Sequence, residues 1–237
     1  MEHSDKPILK RNRAFWSNPV TVTLGAVLLF FASQILGALL VAPFVQYLPS
    51  QNYEIVLYIF ANLVAMLALL SMAMNVLGFD WERIGVKKFR PRALLQVIPA
   101  FVLYFVASTV FTILATKFIP GFKVDQAQDI GFSDVTKPAE LIATFVGLVI
   151  LTPIFEEIIF RGVLFRGLRR RLPFWFAAVL TSLAFATAHL QLNVAVDTFA
   201  LSLVLCYLVE KSDSVIPGML LHAVKNTLAF VLLFILK

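Results

Sequence analysis

Seven long apolar runs separated by short polar stretches organise the chain: residues 20–45, 53–77, 94–119, 141–160, 173–190, 194–209 and 215–236. A helix that crosses a bilayer needs about 20 predominantly apolar residues, and these runs approach or exceed that length, the sixth being the short one. The pattern predicts an all-α fold, a polytopic integral membrane bundle of about seven transmembrane helices. No polar block is long enough to fold separately. Residues 20–237 therefore read as one transmembrane domain behind a cytoplasmic N-terminal segment, residues 1–19.

Composition agrees: of 237 residues 60% are apolar and 14% charged, against roughly 45–50% and about 25% in soluble domains. The net charge of +6 does not point to nucleic acid, because the basic residues sit between the apolar runs. Alternate polar segments hold fifteen Lys and Arg on one side (residues 6–13, 83–92, 161–171 and 211) and four on the other (Lys117, Lys123, Lys137, Lys237). The bias places the N-terminus in the cytoplasm and the C-terminus outside, with a prokaryotic inner membrane as the expected location. The first apolar run is too long for a cleaved signal peptide. Cys206, the one cysteine, excludes an internal disulfide and a Cys-based metal site. The segment "GFDWERIGVKKFRPR" suits the headgroup layer, where aromatic and basic side chains are at home.

Ionisable groups inside spans are costly and mark functional sites. Here they are Glu156, Glu157, Arg161, His189, Asp197, His222 and Lys225. Glu156 and His189 each lie 16 residues from the junction at Leu172–Pro173, about 24 Å along a helix, so they share a level. His222 enters from the basic side roughly 10 Å deep by the same rise. The three are expected to meet in the half of the membrane nearer the basic segments. Glu157 with Arg161, Phe185 with His189, and His222 with Asn226 are i,i+4 pairs, each forming a stripe on one helix face. Asp197 and Lys225 read as local polar contacts.

These residue types suit amide hydrolysis. A carboxylate such as Glu156, partly removed from water, can act as general base on a water molecule. His222 and Asn226 can donate hydrogen bonds to a developing oxyanion, and His189 can hold the water or pass a proton to the leaving amine. Glu157, Arg161 and Phe185 then serve as support.

The motifs "EEIIFR", "FATAH" and "HAVKN", in this order on the fourth, fifth and seventh helices, resemble the CPBP (Abi) family of type II CAAX prenyl endopeptidases and bacteriocin-processing or immunity proteins. The resemblance covers about residues 141–230; before that only "WERIGV" and the hydropathy match. It implies an intramembrane endopeptidase in which Glu156 activates water, His189 assists, and His222 and Asn226 form the oxyanion site. The expected partners are membrane lipid and a membrane-embedded or lipidated peptide substrate. No cofactor is expected; the zinc alternative would use Glu156, His189 and His222. Two other functions compete: a non-catalytic immunity partner, and a proton-coupled transporter, against which the absence of an internal repeat counts.

Overall fold

The computed structural model describes residues 18–77, 80–126, 132 and 135–236; most of the N-terminal segment, residues 1–17, lies outside them. Among the described residues seven helices follow one another. They are α1 (Pro19–Val41), α2 (Gln51–Leu77), α3 (Val97–Phe118), α4 (Pro138–Arg169), α5 (Phe174–Thr187), α6 (Leu192–Ser212) and α7 (Ile216–Ile235). Six are long and apolar enough to cross a membrane, and α5 is the exception. The protein is an integral membrane helical bundle, since lipid leaves the backbone of such runs no partner except its own helix.

The short span is thus the fifth, not the sixth. Hydropathy misses this because residues 188–194 remain apolar on average, whereas the backbone breaks at Leu190, which takes a left-handed φ of 55°. At 14 residues, α5 extends only about 21 Å, short of a hydrocarbon core of about 30 Å. The chain turns back beside His189 at that depth. α6 is longer than expected because Glu210, Lys211 and Ser212 remain helical. Arg169 anchors that end, its Nη2 and Nε donating to Glu210 at 2.8 and 3.1 Å.

Lipid supplies no hydrophobic force between helices, so close packing at small residues substitutes for it. A Cβ on Gly37 would stand 2.0 Å from the Asn62 amide oxygen, and one on Gly167 would stand 2.1 Å from Val22. These glycines bring α2 and α4 against α1. The buried core surrounds α4, with Ile159, Phe165, Phe185 and Leu205 almost wholly enclosed. Outward faces of α1 and α3 expose Leu28, Phe31, Ile98 and Phe105, as lipid contact requires.

The "WERIGV" segment is docked onto protein rather than simply lying among headgroups. Ile84 is fully buried, the Val215 N–H donates to the Gly85 carbonyl at 3.0 Å, and Arg166 Nε donates to the Arg83 carbonyl at 3.0 Å. Gly162 lets it approach, since a Cβ there would sit 2.8 Å from the Ile84 carbonyl oxygen. Gly162→Ala should therefore destabilise the protein by about 1–3 kcal/mol, read as a lowered melting temperature in detergent.

Asp213, in the left-handed region at φ 53°, closes the turn between α6 and α7. It pairs with Lys87 and, at 2.7 Å, with Arg166. Partial burial would push its carboxyl up, but the hydrogen bonds from Lys87 and Arg166 outweigh this and hold it below the ordinary range. A depressed folded pKa contributes stability that is complete above the unfolded value of about 3.9 and is lost as pH falls through the folded one. The melting difference between wild type and Asp213→Asn should be largest near neutrality and shrink in acid.

Candidate active site

Two wide turns interrupt α4. Residues Val146–Leu151 and Glu157–Phe165 follow the i→i+5 pattern, with a short α-helical piece, Thr152–Glu156, between them. Such π-turns concentrate at functional sites, and here they bracket Glu156. The Thr152 N–H bonds to the Gly147 carbonyl. The next donor in that register belongs to Pro153, which has no N–H, so the Leu148 carbonyl lacks its helical partner. Asn226 supplies one: its Nδ2 donates to the Leu148 oxygen at 2.9 Å. That bond ties α7 to α4 and leaves the second amide N–H of Asn226 uncommitted.

Glu157 and Arg161 form an ion pair of 2.9 Å with both side chains fully buried. His222 joins it, its Nδ1 lying 3.1 Å from the same Glu157 oxygen. An oxygen already facing a guanidinium is an acceptor, so Nδ1 carries the hydrogen. This directs Nε2 toward Glu156, whose Oε2 is 3.6 Å away. Glu156, unlike its neighbour, has no guanidinium partner within salt-bridge distance and keeps 18% of its side chain exposed.

Phe185 is the hub beneath these groups. The Arg161 guanidinium carbon lies 4.3 Å from the centre of its ring, a cation–π contact. The rings of His189 and His222 meet it edge-on at 4.9 and 5.9 Å. His189 Nδ1 donates to the Phe185 carbonyl at 2.8 Å; since a carbonyl only accepts, the Nε2 of the neutral ring holds the lone pair.

Glu156, His189, His222 and Asn226 line one cavity of about 280 Å³. The structure thus brings together the residues that the sequence expects to meet. The cavity runs along α7 from His222 to Leu233 and along α4 from Glu156 to Leu148, away from the basic end, where residues 157–165 are all buried. Glu156 and His189 also line a second cavity of about 250 Å³ with Gln34, Tyr58 and Asn62. There Tyr58 Oη and Asn62 Nδ2 both donate to Gln34 Oε1, at 2.7 and 2.8 Å.

Reasoning from ionisable groups alone missed that polar trio, although an amide in an apolar run is a legible signal. Lys225 lines the same cavity as Asn226. Asp197 is its neighbour at 3.6 Å. Among the described residues no group of three or more His, Cys, Asp and Glu is arranged to hold a metal ion. No step below passes through a metal.

Residues 138–228 match the family model described as type II CAAX prenyl endopeptidase Rce1-like. A curated Escherichia coli protein described as "Uncharacterized 24.3 kDa protein" is 32% identical over 102 residues, covering 41% of this chain and 46% of that protein. The match thus spans about half the length of that relative. No solved structure matches. The family segment contains Glu156, Glu157, Arg161, Phe185, His189, His222 and Asn226, whereas Gln34, Tyr58 and Asn62 lie outside it. Three polar motifs on α4, α5 and α7 lie in the same stretch as the family match: residues 138–228 are similar to the Rce1-like type II CAAX prenyl endopeptidase family.

Proposed function

We propose that the chain is an intramembrane endopeptidase that hydrolyses a peptide bond of a lipidated or membrane-embedded substrate. The observation that carries this reading is the convergence of Glu156, His189, His222 and Asn226 on one cavity inside the bundle. Glu156 takes a proton from water as the oxygen adds to the scissile carbonyl. The second amide N–H of Asn226 donates to the resulting oxyanion without a change of charge, and Nε2 of His222 does so when doubly protonated. His189 Nε2 orients the water and relays a proton to the departing nitrogen as the C–N bond breaks. One water is consumed, and a carboxylic acid and an amine are released.

Glu157 acts as a positioning residue: it fixes the His222 tautomer and is itself held by Arg161. A groove of about 350 Å³, lined by Phe31, Ile159 and Leu164, shares Phe30, Phe160 and Ala188 with the cavity beside Glu156. Its apolar walls suit the lipid or apolar portion of a substrate. The charge bias supports a basic end that faces the cytoplasm.

The test is to reconstitute the purified protein and present farnesylated C-terminal peptides alongside a panel of transmembrane peptides, with and without chelator. Cleavage of one class, insensitive to chelator, is the expected result. Activity lost to chelator and restored by zinc would overturn the metal-free route. Proton flux without cleavage would replace the protease by a transporter.

A further inference from the structure

The basic segment before α3 builds a cavity apart from the one proposed for catalysis. Lys87, Lys88, Arg90 and Arg92 join Lys211, from the last turn of α6, in lining a space of about 600 Å³ whose one carboxylate is Asp213. That carboxylate is already shared between Lys87 and Arg166. Lys88, Arg90 and Arg92 are exposed, and among the described residues their side chains form no ion pair or hydrogen bond. Lys211 rests on the Tyr207 ring, 5.6 Å from its centre. The wall therefore carries an excess of positive charge that an anion relieves. Protein contacts hold it in shape: Ser214 Oγ lies 3.2 and 3.1 Å from the Gly85 and Lys87 carbonyl oxygens, which ties the segment to the turn between α6 and α7.

We infer that this cavity binds the phosphate-bearing headgroup of an anionic membrane phospholipid, whose acyl chains lie along α3. Its position along the bundle selects that occupant. The wall residues lie at the ends of two membrane-crossing runs, Pro91–Phe118 and Leu192–Ser212, the level at which headgroups begin, and a basic pocket between helices at that level suits an anionic headgroup. Just beyond Gln96, which also lines the cavity, Ile98, Val102 and Phe105 are exposed at i, i+4 and i+7 on one face of α3. A free anion would use the cations and leave that apolar face idle. The inference does not depend on the protease reading.

The experiment titrates the purified full-length protein in detergent with cardiolipin, phosphatidylglycerol, phosphatidylcholine or inorganic phosphate, and counts bound molecules by native mass spectrometry. The two anionic lipids should bind at concentrations at which phosphatidylcholine and inorganic phosphate do not, and added salt should weaken them. Lys88→Gln combined with Arg90→Gln and Arg92→Gln should weaken anionic-lipid binding about a hundredfold, at roughly fivefold per cation. This triple variant should melt at the wild-type temperature in lipid-free detergent, because its side chains have no partners to lose. A second triple, Lys117→Gln with Lys123→Gln and Lys137→Gln, removes the same charge beyond the other end of α3 and should bind like wild type. A first triple that binds like wild type, or two triples equally impaired, would overturn the inference. So would anionic lipids that bind wild type no more tightly than phosphatidylcholine, a result that needs no variant. Inorganic phosphate binding as tightly as the anionic lipids would overturn the lipid assignment in favour of a free anion.

Discussion

Glu156→Gln should lose cleavage activity by about 10²–10⁴-fold, the contribution of a positioned general base, while the protein melts at the wild-type temperature. The substitution preserves the shape of the side chain and removes only its capacity to accept a proton. Stability is expected to survive because the buried ion pair belongs to Glu157 and Arg161, whereas Glu156 is partly exposed to the cavity and meets only His222, at 3.6 Å. The loss should fall on kcat rather than KM, since the carboxylate acts as the water attacks. A Glu156→Gln enzyme that cleaves at the wild-type rate would remove Glu156 from the chemistry.

Arg161→Met should be the most destabilising single change, costing about 3–5 kcal/mol, because it leaves Glu157 as an uncompensated buried charge. Its partners account for that size. Glu157 is fully buried, and its second oxygen has no hydrogen bond; a Cβ on Gly218 would come within 3.1 Å of that oxygen. Two Arg161 nitrogens also lack hydrogen-bond partners, and the guanidinium rests on the Phe185 face instead. Replacing both members, as Glu157→Leu with Arg161→Met, should recover much of the melting temperature, since apolar residues of similar volume often replace a buried pair without loss. Activity should not return, because His222 Nδ1 then loses the acceptor that aims its Nε2 at Glu156. Recovery of activity in the double variant would show that Glu157 positions nothing.

The apolar runs make the bundle legible because lipid leaves a hydrophobic segment no alternative to a helix. The common level of Glu156 and His189 is legible because both arms rise from one turn near Pro173. Two features are not. Leu190 breaks α5 through a backbone conformation that hydropathy does not register, and the π-turns around Glu156 depend on tertiary bonds such as Asn226 to Leu148. Lys225 reads from sequence as a local polar contact, and it stands 3.6 Å from Asp197, while the cavity takes in both Lys225 and Asn226. The polar trio Gln34, Tyr58 and Asn62 was visible all along, as uncharged polar groups in apolar runs.

The most direct measurement is mass spectrometry of a membrane-anchored peptide digested by the reconstituted protein in ¹⁸O-labelled water. The account predicts two fragments, one ending in a carboxyl that carries a single ¹⁸O and the other beginning with a free amine, and neither forming when Glu156 is replaced by Gln. An intact peptide with the wild-type protein, or fragments that persist in the Glu156→Gln protein, would contradict it.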